Sequence, residues 1–305
     1  MINNFRAGII SLIFFCVCFS SFAQLPSSLK DFFPPGTEVH ENIPYAGDTL
    51  KKHLLDVYLP ARTVKLLPVV IWVHGGAWMM NDKHADMGYM RTTVKSFIDS
   101  GYAFATIDYR FSTTAVFPAQ IQDCNQAIEF LYDHADEYKL DKKRFAVIGF
   151  SAGGHLASLL ALSNNNHVKD FYPPGNKISF SIKTALDFYG PSDFIAMIGS
   201  AENVDPKNPV AILLGALPID RPDLAKRASP TTYVDKADPP FLIVQGEKDE
   251  SVPQAQSKLL KSYLEVAGVP NELIIVAGAP HFGEMFDAES IRKRIFYFLR
   301  TYLRG

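Results

Sequence analysis

Apolar residues run without alternation through Leu66 to Val73, Tyr102 to Tyr109, Arg144 to Phe150 and Pro240 to Gln245. Runs of this length predict strands covered on both faces of a sheet. Between them the spacing changes. Met90, Val94, Phe97 and Ile98 recur at helical intervals within Met87 to Ser100, a helix closed by Gly101. Pro118 to Tyr138, Ala152 to Leu162, Pro253 to Ala267 and Asp287 to Leu303 read as further helices, with Pro118 near a first turn. Ile182 to Tyr189 and Glu272 to Val276 add strands, and Thr37 to Tyr45 and His53 to Leu59 form an edge hairpin around Ala46-Gly47-Asp48. Strand and helix alternate. The pattern therefore predicts an α/β fold with a mainly parallel central sheet, helices on both faces, and a ligand site at the carboxyl ends of the strands.

Three stretches depart from that rhythm. Gln24 to Pro35 is rich in Pro and Ser and reads as a mobile leader, and Asn164 to Asn176 is polar and reads as an exposed excursion. Ser192 to Asp238 is broken by Pro206, Pro209, Pro218, Pro222 and Pro230, which predicts a small lid-like insertion at 192–238 near the site.

The N-terminus changes the picture of the mature chain. Arg6, the apolar run Ile9 to Phe19 and the small-x-small sequence Ser21-Phe22-Ala23 predict a signal peptide over residues 1–23, cut after Ala23. The run is short for a membrane span, and neither Cys16 nor Cys18 follows the small residues a lipid-acylated cysteine requires. The expectation is a secreted or periplasmic protein with no membrane span in its mature form, and a single domain over 24–305 with one large core. The net charge of −2 gives no basic balance for nucleic acid. Of the three cysteines, Cys124 alone survives cleavage, so no intrachain disulfide forms; with Ile121, Ile128 and Leu131 on its helix face it reads as a buried small hydrophobe.

Candidate chemistry begins where two elements collide. The strand ending at Phe150 meets the helix starting at Ala152 with only Ser151 between them, and Gly149 and Gly153 leave room for the backbone to double back. Gly149-Phe150-Ser151-Ala152-Gly153 matches the G-x-S-x-G nucleophile elbow of the α/β-hydrolase fold. A serine needs a base to take its proton and an acid to orient that base. Of eight histidines, His40, His53, His74, His84 and His134 precede the serine, His155 points into packing and His167 precedes the next strand. His281 remains, in a flexible turn after the last strand. Asp249, at the end of the Pro240 to Gln245 strand, is the acid; Glu247 and Glu250 read as solvated, and Asp193 as the structural alternative that shapes the pocket.

The run His74-Gly75-Gly76-Ala77-Trp78 after a buried strand, paired with the elbow and followed by Asp249 and His281 in order, resembles the HGG-motif branch of α/β-hydrolase serine esterases, related to hormone-sensitive lipase and to feruloyl-esterase-like enzymes. The resemblance covers nearly all of the chain from about residue 50. It implies the α/β-hydrolase fold, an oxyanion hole lined by Gly75, Gly76 and Ala152, and a structural His74. No metal-ligand spacing such as H-E-x-x-H occurs, so no metal or other cofactor is expected. Trp78 and Tyr189 are the candidate substrate contacts. Ala77 stands where many relatives have Gly, and Met79-Met80 is bulky. The function expected is an exported serine carboxylic-ester hydrolase with an acyl-enzyme intermediate, acting on short-chain or carbohydrate-linked (acetyl or feruloyl) esters. Kynurenine-formamidase-like amidohydrolases share H-G-G-x-W, so an arylformamidase-like or lipase-like hydrolase is the alternative, beside a non-catalytic binding protein of the same fold.

Overall fold

The structure, a computed structural model, describes residues 29–61, 64–175, 179–197 and 205–303. The signal segment 1–23 lies outside the described residues. One eight-stranded sheet organises the chain, in the order β1-β2-β4-β3-β5-β6-β7-β8. Its strands are β1 (Glu38–Pro44), β2 (Leu54–Leu59), β3 (Leu67–Val73), β4 (Ala103–Ile107), β5 (Leu140–Phe150), β6 (Ile182–Phe188), β7 (Phe241–Gly246) and β8 (Asn271–Val276). The β1–β2 and β2–β4 pairs are antiparallel; every later pair is parallel. The helices are α1 (Arg91–Asp99), α2 (Ala119–Asp133), α3 (Ala152–Asn164), α4 (Pro209–Leu214), α5 (Pro222–Ala228), α6 (Gln254–Ala267) and α7 (Glu289–Tyr302).

The continuous apolar runs have a two-sided cause. Side chains alternate across a strand, so Val69, Ile71 and Val73 of β3 enter one core with Leu156 of α3 and Leu260 of α6. Val70 and Trp72 enter the other, with Phe97 of α1 and Ile295 of α7. β5 divides the same way, Phe145 and Val147 to the first core and Ala146, Ile148 and Phe150 to the second. Both faces are apolar because both are covered.

Several boundaries differ from expectation. α1 starts only at Arg91, because Met87 and Met90 are buried from the turn before it and satisfy the apolar spacing without being helical. α2 ends at Asp133; Ala135 and Tyr138 are buried from the turns that follow. The leader is anchored where it meets the domain: a 3-10 turn at Leu29–Phe32 seats Phe32 and Phe33, with the Phe33 ring stacked 4.2 Å from Tyr58 and the Arg91 guanidinium over Phe32. The polar excursion after α3 is likewise tied down. Phe171, on a 3-10 turn at Lys169–Phe171, is fully buried, and Asn125 Nδ2 donates to its carbonyl at 2.8 Å. The described part of 192–238 packs through Val210, Leu213 and Ala225 into the core that holds α3. Among the described residues no helix is long and apolar enough to cross a membrane.

Candidate active site

Phe150 ends β5, Ala152 begins α3, and Ser151 turns between them at φ 53° and ψ −117°, in the left-handed region that costs a side-chain-bearing residue about 1–3 kcal/mol. The turn is held by lack of space. A Cβ on Gly149 would lie 2.0 Å from the Gly153 carbonyl oxygen, and one on Gly153 would lie 2.1 Å from that of Val73. The Ser151 amide donates to Phe188 O at 2.9 Å, tying the elbow to the end of β6. Asp187 secures the same junction, its Oδ2 accepting from Ser158 Oγ (2.7 Å) and its Oδ1 from Gly190 N (2.8 Å). Burial pushes the Asp187 carboxyl up to about 6, although both hydrogen bonds oppose the shift.

The three residues expected to act together converge. Ser151 Oγ lies 2.8 Å from His281 Nε2, and His281 Nδ1 lies 2.7 Å from Asp249 Oδ2. Burial works against charge on Asp249, but the His281 hydrogen bond and charge, with the amides of Val252 and Ser251 on Oδ1, hold its pKa below the usual carboxylate value. An ionised carboxylate only accepts, so Nδ1 carries the proton and Nε2 presents a lone pair to the serine hydroxyl. Gln245 was not signalled by the sequence. Ser257 Oγ donates to its Oε1 (2.7 Å), which orients the amide so that Nε2 donates to Asp249 Oδ2 at 2.7 Å. Asp193 is engaged elsewhere, accepting from Ala196 N and Thr231 Oγ1. Glu247 is exposed and accepts from Gly278 N at 2.7 Å.

The loop after β3 shows one correction. Gly75, expected to donate to an oxyanion, gives its amide to Asp86 Oδ2 at 2.7 Å. It must be glycine for another reason: a Cβ there would sit 2.8 Å from Phe150 O and 3.5 Å from Ser151 Cβ. Gly75 O is gripped by His74 Nδ1 (2.6 Å) and Asn81 Nδ2 (3.3 Å). Because the peptide is planar and trans, the Gly76 N–H on the same unit points the opposite way. Gly76 adopts φ 118°, and Ala77 (52°) and Trp78 (59°) continue in the left-handed region. Ala152 N opens α3, where first-turn amides have no intrahelical acceptor. The Gly75 amide is thus committed to Asp86, whereas the Gly76 N–H points away from the groups that hold Gly75 O. His74 is fully buried, stacked 4.3 Å from Tyr109, and desolvation lowers its pKa to about 4, so it is a neutral scaffold residue.

A web of partly buried polar groups pins this loop from behind. Lys52 Nζ reaches Asp108 Oδ1 (2.8 Å) and Asn81 O (2.7 Å), Lys83 Nζ donates to Asn42 Oδ1 (2.8 Å), and His84 Nε2 meets Asp56 Oδ2 at 2.6 Å.

The two expected substrate contacts are both corrected. Trp78 is 3% exposed, its Nε1 donates to His155 Nδ1 at 3.3 Å, and its ring edge meets Phe194. His155 in turn donates from Nε2 to Ala228 O (2.8 Å); burial lowers its pKa to about 4. Tyr189 is 1% exposed, with its ring 4.8 Å from that of His281 and its hydroxyl 2.8 Å from Tyr89 Oη. Both large aromatics are packed inward, Trp78 from the loop after β3 and Tyr189 from the residue after β6. Phe282, next to the His281 imidazole, is exposed, as are Met80 and Met285 in the loops that follow β3 and β8. Among the described residues no group of three or more His, Cys, Asp or Glu converges as metal ligands.

Comparison with known proteins places this geometry. A family model described as BD-FAE matches residues 55–264. The chain is 31% identical over 260 residues to Esterase LipQ of Mycobacterium tuberculosis (strain ATCC 25618 / H37Rv), covering 83% of this chain and 59% of that protein. It is 29% identical over 226 residues to Probable carboxylic ester hydrolase LipM of the same organism, covering 72% and 49%. The chain thus spans about half to three-fifths of the length of these curated relatives. Among solved structures, a truncated form of carbohydrate esterase from gut microbiota shares 30% identity at a TM-score of 0.77, covering 88% of this chain and 98% of that one. A bifunctional GH43-CE of Bacteroides eggerthii shares 34% at 0.79, covering 87% of this chain and 35% of that one. Esterase B from Lactobacillus rhamnosis, at 21% and 0.73 over 88% of this chain and 86% of that one, has the same fold.

Proposed function

The chain belongs to the BD-FAE family and has the α/β-hydrolase fold, and from that premise we propose that it is a serine carboxylic-ester hydrolase acting through Ser151, His281 and Asp249. The observation that carries the reading is the unbroken hydrogen-bond path from Ser151 Oγ through His281 to Asp249, at 2.8 and 2.7 Å. Ser151 Oγ attacks the ester carbonyl carbon as its proton passes to His281 Nε2, and Asp249 stabilises the imidazolium. The oxyanion draws on the amides of Gly76 and Ala152, aided by the positive end of the α3 dipole. Collapse returns the proton to the departing alcohol and leaves an acyl-serine. Water, deprotonated by the same His281, then releases the acid.

The substrate class we propose is short-chain or carbohydrate-linked esters. The names of the two solved structures sharing 30% and 34% identity, a carbohydrate esterase and a GH43-CE, support it. Export by residues 1–23, with cleavage after Ala23, would put the single domain over 24–305 where such polymers occur. An arylformamidase-like amide hydrolase is the second reading, favoured by the His74-Gly75-Gly76-Ala77-Trp78 run. Purified protein should hydrolyse p-nitrophenyl acetate and release acid from acetylated xylan or methyl ferulate faster than it cleaves an N-formyl aryl amide. Fluorophosphonate should modify Ser151 stoichiometrically. Folded protein that is neither labelled nor active on any ester would support a binding protein instead.

A further inference from the structure

The Asp86 carboxylate belongs to no part of the path just described, yet it stands between two parts of it. Oδ2 accepts from Gly75 N at 2.7 Å, and Oδ1 accepts from Tyr89 Oη at 2.6 Å. Tyr89 Oη is in turn 2.8 Å from Tyr189 Oη. A carboxylate with both oxygens accepting fixes every donor along this line: Tyr89 donates to Asp86, so Tyr189 must donate to Tyr89. The chain is therefore one-directional, and its last member lies against the catalytic imidazole, the Tyr189 ring centroid being 4.8 Å from that of His281. Tyr89 also faces Phe282, the residue after the base, at 6.2 Å.

At the other end the bond to Gly75 sets the tilt of a peptide in contact with the nucleophile, since a Cβ on Gly75 would fall 3.5 Å from Ser151 Cβ. The next amide along is that of Gly76. Asp86 is itself held by backbone, at φ 69° in a loop whose Ala85 carbonyl accepts from Trp72 Nε1 at 3.0 Å. Burial raises the Asp86 pKa, while the bonds from Tyr89 and Gly75 act against that shift because they favour the carboxylate, to which a hydrogen bond is about twice as strong as to a neutral acceptor.

We infer that Asp86 is a positioning residue of the reaction: through Gly75 it aims the oxyanion amide of Gly76, and through Tyr89 and Tyr189 it fixes the floor under His281. The inference rests on the proposed ester hydrolysis. Removing an oxyanion donor outright costs about 10²–10³ in kcat, and a residue that only aims the donor costs less.

The test compares Asp86→Ala, Asp86→Asn and Tyr89→Phe in the full chain on p-nitrophenyl acetate, with melting temperature followed in parallel. Asp86→Ala should lower kcat at least about tenfold while KM stays within about twofold, because the loss falls on the transition state. Asp86→Asn should recover to within about threefold of wild type, since Oδ1 can accept from Gly75 while Nδ2 donates to Tyr89 and reverses the chain. Tyr89→Phe, which removes one hydroxyl, should cost about threefold or more in kcat with KM unchanged, and decides the matter if Asp86→Ala fails to fold. An active wild type with unchanged kcat in Asp86→Ala or Tyr89→Phe overturns the inference alone. Equal losses in Asp86→Ala and Asp86→Asn overturn it as well, since geometry would not then be what Asp86 supplies. An inert wild type whose Ser151 takes no fluorophosphonate overturns the esterase reading and this inference together.

Discussion

From Phe145 to Asn164 every residue except Ser151 is buried, whereas β8, which leads to His281, has no fully buried residue, and the turn after it exposes Phe282 and Met285. The nucleophile is therefore fixed by exclusion: glycines at 149 and 153 are the only residues that fit, and the neighbours that would be struck are backbone. The base is fixed by direction. Lys248 N donates to Ala279 O (2.8 Å), Gly278 N to Glu247, and Asp249 to Ser151 forms the path through the imidazole. The nucleophile side should break on added volume and the base side on removed hydrogen bonds, with Gly246 the exception on the base side, where a Cβ would lie 2.2 Å from Pro280 O.

The largest effect tests the chemistry of both sides together. Ser151→Ala and His281→Ala should each lower kcat by roughly 10⁴–10⁶, with Asp249→Asn costing somewhat less, and all three should fold. A His281→Ala variant that loses as much melting temperature as an elbow glycine variant would erase the distinction between the two sides. That glycine comparison comes next. Gly149→Ala should cost about 3 kcal/mol or more, or prevent soluble expression, because its Cβ meets a backbone oxygen at 2.0 Å. Gly278→Ala, in open space at φ 70°, should cost only about 1 kcal/mol by denaturant unfolding.

Acid sharpens the contrast further. His74 and His155, on the buried side, titrate at about 4 when folded against 6.5 when unfolded. The unfolded chain binds more protons between those values, so stability present above pH 6.5 is lost as pH falls to 4, by up to roughly 3 kcal/mol for each group. Asp187, raised to about 6 from 3.8, acts the other way: its penalty in the folded state lifts as pH drops through 6. Burial likewise raises Asp238, to about 7, so the two carboxyls offset the two histidines in the wild type. Removing both in Asp187→Asn/Asp238→Asn should uncover an acid loss in urea unfolding at pH 7, 5.5 and 4. A flat profile in that double variant would contradict the neutral burial of both histidines. The smallest effect belongs to Asp193→Asn, which should leave kcat within about threefold, since that carboxylate serves Ala196 N and Thr231 Oγ1. Loss of turnover there, with Asp249→Asn active, would reassign the acid.

What the sequence disclosed follows the same divide. β3, β5 and β7 were legible because burial on both faces leaves an unbroken apolar run, and the elbow was legible because backbone collision admits only glycine at two fixed spacings. Ser151, Asp249 and His281 were legible from residue type and order, and they converge. Trp78 and Tyr189 were misjudged because whether an aromatic beside a motif faces solvent or core is decided by elements distant in sequence, here His155, Phe194 and Phe286. Asp86, Tyr89 and Gln245 carried no signal, since no spacing marks a polar residue that reaches backwards. Phe171 was lost in a polar run because one anchoring ring does not make a period.

Cys124 gives the molecule a clock of its own. It is fully buried on α2 among the core residues, and burial pushes its thiol well above the ordinary range, so the reactive thiolate is scarce while the helix stays seated. In a chain beginning at Gln24 no other thiol competes. The rate at which a thiol reagent modifies the native protein then counts how often α2 lifts from the sheet, and reports on the packed half of the site without touching its chemistry.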